Sequence, residues 1–184
     1  MRAIETDRAR IKELAEARAE ATWAFYRYLK ESDLSPEEID AVVHRLSREI
    51  SAQIKYSTCL NCCKLLSPCL DADELEELSR AMGMAASEFI AAYLVEDDES
   101  HGFVVKGRPC PFLTDAGCSL GAHRPRDCAS YPHLEQDGFV FRLMTVIANC
   151  DICPIVFNVY EALKDALWFK GALDDPDRVG DDAP

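Results

Sequence analysis

The sequence predicts a mainly α fold with a small antiparallel β element. Three observations predict it. Apolar residues recur at helical spacing behind recognisable N-terminal caps, two short runs are rich in aromatic and β-branched residues, and nine cysteines lie from Cys59 onward in the 184 residues. Nearly half of the residues are hydrophobic, enough for a core at this length and too many for wholesale disorder.

Residues 1–55 hold no cysteine and read as an N-terminal helical hairpin. In its first helix Ile11, Leu14, Thr22, Phe25 and Leu29 fall near one face, and Trp23 and Tyr26 widen the apolar area. The second helix has a marked start: Ser35 is the N-cap, Pro36 takes the first helical position and Glu38 completes a capping box. Ile39, Val42, Val43, Leu46, Ile50 and Ile54 follow at helical spacing, and His44 lies off that stripe as a surface histidine. The hairpin turns at about Asp33.

Residues 56–172 form a cysteine-bearing domain that ends in a helix. A third helix opens at Asp71, with Glu74 as its capping-box partner and Leu70 and Leu75 as a hydrophobic staple. Leu75, Leu78 and Met82 form its buried face, and Gly83 ends it. A fourth, from about Ala85 to Val95, carries Phe89, Ala92 and Tyr93 inward; Glu96-Asp97-Asp98-Glu99 then reads as a solvated loop. Two β-like runs, Phe103 to Lys106 and Phe139 to Ile147, each follow a glycine and are expected to pair with one another. The last helix starts after Pro154, with Val156, Val159, Tyr160, Leu163 and Leu167 on one face, and residues 173–184 are an acidic tail expected to be disordered.

Charge narrows the partners. Twenty basic against 33 acidic residues give a net charge of −13, a surface that repels phosphate backbones, excludes nucleic acid as a partner and suits a basic protein partner. No stretch approaches the roughly 18 apolar residues of a membrane span, and the N-terminus lacks the apolar core of a secretory signal. A cytoplasmic location is the expectation, and there thiols stay reduced, so the cysteines read as metal ligands or redox groups rather than disulfides.

Cys59, Cys62 and Cys63 form a Cys-x-x-Cys-Cys group; Cys110, Cys118 and Cys128 are spaced through a segment rich in Gly, Pro and Arg; Cys150 and Cys153 make a second Cys-x-x-Cys. A two-residue gap lets both sulfurs turn toward one ion, and a cation compensates the charge of the thiolates. Four such ligands close a tetrahedral zinc site or hold an iron–sulfur cluster. These eight cysteines are the candidate metal ligands, and the fold class becomes helices around a cysteine-ligated metal site. Cys69 stands alone and reads as a small buried hydrophobe. Arg124 and Arg126 are candidate cofactor-binding residues, offsetting a multi-thiolate centre through hydrogen bonds to sulfur, with a salt bridge to the acidic surface as the alternative. His123 and His133 flank Cys128, but the supply of thiolates makes them neighbours of a metal rather than ligands.

Cys110-Pro111-Phe112-Leu113, Gly117-Cys118-Ser119-Leu120, His123-Arg124-Pro125, Cys128 and Tyr131-Pro132 occur in that order, preceded by the helical stretch Asp73 to Leu94. The combination resembles the YkgJ-type cysteine-cluster family of zinc- or iron-chelating domains, often labelled iron–sulfur-containing, over about Thr58 to Cys153. A related cysteine cluster occurs in flagellin lysine-N-methylases. The chain departs from the family pattern at Tyr56, where the first cysteine of Cys-x-x-Cys-x-x-Cys-Cys would stand, at Gly121, often aromatic, and at Ala129, commonly basic. The resemblance implies a cofactor class rather than a reaction: an iron–sulfur cluster, [4Fe–4S] by preference, or zinc.

The functional expectation is a metal-binding protein with a redox or electron-transfer role. The alternatives are a structural zinc module that binds a protein, or a cluster-dependent enzyme related to the methylases. No Walker loop, Gly-x-Gly-x-x-Gly or His-Glu-x-x-His supports a named enzyme chemistry.

Overall fold

A computed structural model of the chain describes residues 3–54, 59–97 and 102–168. Expectations placed on Tyr56, Asp98, Glu99 and the tail fall outside these residues. The described part is mainly helical with a small antiparallel sheet, and the chain divides into two compact units, residues 1–55 with 132–184, and residues 56–131. The C-terminal helix therefore belongs with the N-terminal helices, not with the cysteine-bearing segment.

In the first unit, α1 (Arg8–Ala17) and α2 (Ala19–Glu31) replace the single helix expected there. The break is at Arg18, whose backbone leaves helical geometry at φ −107° and ψ 12° and whose guanidinium reaches Glu161 at 2.7 Å. Helix α3 (Pro36–Ser51) carries the expected capping box, in which the Ser35 hydroxyl accepts from the Glu38 N–H and the Glu38 carboxylate accepts from the Ser35 N–H. Its Ile39, Val43, Leu46 and Ile50 are buried, and it packs on the late helix Pro154–Leu163. Pro154 sits in the first turn of that helix, where its missing N–H is not needed, and almost every side chain along it is buried. Tyr160 packs edge-on against Phe25 and donates its hydroxyl to the Thr22 carbonyl at 3.1 Å.

Phe139 to Ile147 is not a strand. It forms a 3-10 turn (Phe139–Arg142) running into a helix (Leu143–Ala148). The buried Asp40 carboxylate on α3 accepts the N–H groups of Gly138 (2.6 Å) and Phe139 (2.9 Å), and Gly138 at φ +77° makes the turn into the helix. Phe139, Leu143, Val146 and Cys150, all buried, then follow at helical spacing, so aromatic and β-branched composition is overridden by capping and period. His44 is also less exposed than its place off the stripe implies. Its ring is partly buried, with Nε2 3.9 Å from Asp137 and without a hydrogen-bond partner among the described residues.

The second unit starts with α4 (Asn61–Leu65), entered from Leu60 in a left-handed conformation at φ +48°. Strand β1 (Cys69–Leu70) leads into α5 (Ala72–Ala81), capped reciprocally by Asp71 and Glu74 as expected and followed by Gly83 at φ +67°. Leu75 and Leu78 are buried, but Met82 is exposed. Helix α6 (Ala86–Tyr93) buries Phe89 and leaves Ala92 exposed, because the helix stops at Tyr93 and its inward face is narrow. Strands β2 (Leu94–Asp97) and β3 (Gly102–Val105) follow, and β3 pairs antiparallel with both β1 and β2. Glu96 and Asp97 thus lie on an edge strand opposite Phe103 and Gly102, not in a loop; charge on an edge guards it against further pairing. A two-residue ladder joins β4 (Leu113–Thr114) to β5 (Gly117–Cys118), and α7 (Arg126–Ser130) ends the unit. The two remaining helices, Leu143–Ala148 and Pro154–Leu163, are α8 and α9. The core of the second unit gathers Leu70, Leu75, Leu78, Phe89, Leu94, Val105, Phe112 and Leu120, with the Phe89 and Phe112 rings stacked 6.1 Å apart.

Candidate metal centre

Four separate pieces of the second unit bring cysteines to one cavity of about 490 Å³. Helix α4 supplies Cys62 and Cys63, the turn before β4 supplies Cys110, β5 supplies Cys118, and α7 supplies Cys128. The convergence is built from backbone and core. The Cys110 N–H donates to the Cys63 carbonyl at 2.8 Å, joining segments 47 residues apart. Phe112 and Leu120 are buried in the core, which anchors the loop carrying Cys110 and Cys118, and the Ser119 N–H donates to the Phe112 carbonyl at 2.8 Å. Gly117 at φ +111° opens β5 directly after the turn from β4, in a conformation in which a side chain would be strained.

The Cys62 and Cys63 sulfurs are 4.0 Å apart. Burial pushes the Cys63 thiol up to about 11, with Cys62 and Cys118 adding to the rise and Arg124 opposing it. Burial, then Asp127, then the other thiols push Cys128 up to about 12, and Cys110 is raised chiefly by burial. The mutual influence of these groups reflects their closeness. Cys63 and Cys128 hold their protons at neutral pH unless a cation replaces them, so they are neutral, soft donors that bind by releasing protons. Among the described residues, no three His, Cys, Asp or Glu side chains are already gathered at the distance of a single bound ion. The donor chemistry fits zinc or iron: several thiols, a half-buried setting and a nearby guanidinium.

The other expected site residues lie elsewhere. Cys59 is half-buried and does not line the cavity. Cys150 and Cys153 are buried in the first unit, where the Cys150 Sγ–H meets the Val146 carbonyl at 3.6 Å and burial pushes its thiol up to about 12. Cys69 is exposed, not the buried hydrophobe expected, because β1 turns it outward while Leu70 takes the core position. Arg124 lines the cavity and acts on Cys63; Arg126 instead pairs with Asp71 at 2.5 Å and with Glu74 at 3.5 Å. His123 is paired with Glu77 at 3.5 Å. Sequence reasoning missed the wall of Leu60, Leu66 and Pro68, since no local pattern marks side chains that meet only across loops.

No curated protein and no solved structure matches the chain. A family model, CxxCxxCC, described as "Putative zinc- or iron-chelating domain", matches residues 55–154, more than half of the chain, and spans every cysteine that lines the cavity. The chain belongs to the CxxCxxCC family of metal-chelating domains.

Proposed function

We propose that the chain holds an iron–sulfur cluster on the thiols of Cys62, Cys63, Cys110, Cys118 and Cys128 and serves a redox or electron-transfer role. The observation that carries this reading is the gathering of five thiols around a single cavity of about 490 Å³, far roomier than one ion needs. Cluster ligation uses four thiolates spread around an inorganic core rather than closed on a point. The chain's own residues hold that core: α4, the β4–β5 loop and α7 present sulfur from several sides. Arg124 favours the thiolate of Cys63, and Phe112, Leu120 and Leu66 line the wall with apolar surface. When bound, an iron–sulfur cluster supplies reversible one-electron transfer.

One observation favours zinc as a second reading. A tetrahedral ion with zinc–sulfur bonds of about 2.3 Å separates its sulfurs by roughly 3.8 Å, close to the 4.0 Å between Cys62 and Cys63. Serine replacement tests the ligand set. Cys110→Ser, Cys118→Ser and Cys128→Ser should each lose most of the iron and acid-labile sulfide, while Cys69→Ser, at an exposed position off the cavity, keeps both. Equal iron in the Cys69 and Cys110 variants would remove the cavity from consideration as the site.

A further inference from the structure

Cys128 reaches the cavity from α7, a helix of only five residues with no side-chain cap of its own. So short a helix is marginal in isolation, and its placement must come from outside. Two carboxylates supply it. Glu74, in the first turn of α5, accepts the backbone N–H of Arg126, the first residue of α7, on Oε1 at 2.5 Å. Asp127 of α7 accepts the Cys69 N–H of β1 at 3.1 Å. The helix is thus tied on one side to the start of α5 and on the other to the edge of the sheet.

Glu74 has two tasks. Its Oε2 accepts the Asp71 N–H at 3.3 Å, closing the capping box of α5, while Oε1 holds α7. Its side chain is only 12% exposed, so the charge-assisted bond to Arg126 N–H is partly shielded from water. The Arg126 guanidinium reaches the Asp71 carboxylate at 2.5 Å, but both side chains are more than half exposed and such pairs contribute little. Of the contacts between α7 and the start of α5, the one to the Arg126 backbone, rather than the exposed ion pair, therefore bears most on where Cys128 stands.

We propose that Glu74 is a positioning residue for the thiol centre, setting the Cys128 sulfur at the cavity by anchoring the N-terminus of α7. The proposal rests on the reading of the cavity as a metal site. Partners that orient metal ligands typically alter affinity by ten- to a hundredfold when removed, so Glu74→Ala should weaken binding by about tenfold or more. Glu74→Gln keeps a neutral acceptor and should fall between Glu74→Ala and the unaltered chain.

A control separates positioning from capping. Glu88 makes the same kind of contact at the start of α6, accepting the Ala85 N–H at 3.1 Å, and among the described residues no hydrogen bond links it to α7. Glu88→Ala removes a cap contact of the same kind and should lower thermal stability, yet leave metal affinity within about threefold. Zinc and ferrous iron are each measured alone by chelator competition on the full chain, and cobalt(II) is used to read thiolate-to-metal absorbance per bound ion. The expected result is lower absorbance per cobalt and weaker binding in Glu74→Ala and, to a lesser degree, Glu74→Gln, but not in Glu88→Ala. If the unaltered chain binds metal and the Glu74 and Glu88 variants behave alike, positioning by Glu74 is wrong and the metal reading stands. If the unaltered chain binds none of the three metals, both fall.

Discussion

At the scale of single residues, the cysteines differ by setting rather than by kind. Cys69 is exposed, Cys150 is 7% exposed, and the thiols on the cavity lie between. Since reactivity requires access and a thiolate, brief iodoacetamide treatment of the native protein as isolated should label Cys69 first and leave Cys150 unlabelled. Peptide mapping checks this, and early labelling of Cys150 would contradict its burial. The raised thiols also set a pH dependence. Cys63 at about 11 and Cys128 at about 12 hold their protons through the neutral range, and a bound cation must displace them. Apparent metal affinity should therefore rise steadily from pH 6 to pH 8, read by chelator competition; a flat profile would mean that these thiols are not the ligands. In the metal-free chain the sign is opposite. The fold favours the neutral thiols, so their contribution is full below about pH 9 and is lost as pH climbs toward 11 and 12. The grouping of cysteines was legible because their spacing is local. The outward turn of Cys69 was not, since it depends on which face of a two-residue strand meets β3.

At the scale of elements, what could be read was what adjacent residues encode. Ser35, Pro36 and Glu38 announce α3, and Asp71 with Glu74 announces α5, because a capping box is complete within four residues. Strands β1 and β2 escaped notice because each gains its hydrogen bonds only by meeting β3, and neither has alternating hydrophobicity of its own. The Phe139 to Ile147 segment misled by composition, yet Phe139, Leu143, Val146 and Cys150 carry a helical period that outweighs β-propensity. The decisive contact is Asp40, 6% exposed, on the N–H groups of Gly138 and Phe139. Asp40→Ala leaves two backbone donors without this carboxylate and should destabilise by about 2–4 kcal/mol, measured by urea unfolding. A loss below 0.5 kcal/mol, the range of an ordinary surface change, would show that the carboxylate does not hold that turn. In the second unit, Phe89 is fully buried between Tyr93 and Phe112, and Phe89→Ala should cost about 3–5 kcal/mol.

At the scale of the whole molecule, the two units have different sources of stability. Residues 3–54 and 132–168 close a helical core, with α3 on α9 and Tyr160 against Phe25. Residues 56–131 rely on a smaller core and on loops that meet at the thiols. A ligated metal contributes roughly 10–16 kcal/mol of apparent binding free energy in small zinc-finger peptides, comparable with the whole stability of a domain at about 5–15 kcal/mol. Chelation should therefore melt the cysteine-bearing unit and spare much of the helix signal of the other, seen by circular dichroism as a partial loss. An unchanged melting curve in verified metal-free protein would contradict that dependence. No described helix is long and apolar enough to cross a membrane. The central claim, a cluster seated on five gathered thiols, is tested most directly by iron, zinc and acid-labile sulfide analysis with a visible spectrum of protein isolated without oxygen. Iron with matching sulfide and broad visible absorbance is the predicted result; colourless protein without iron or sulfide would contradict it.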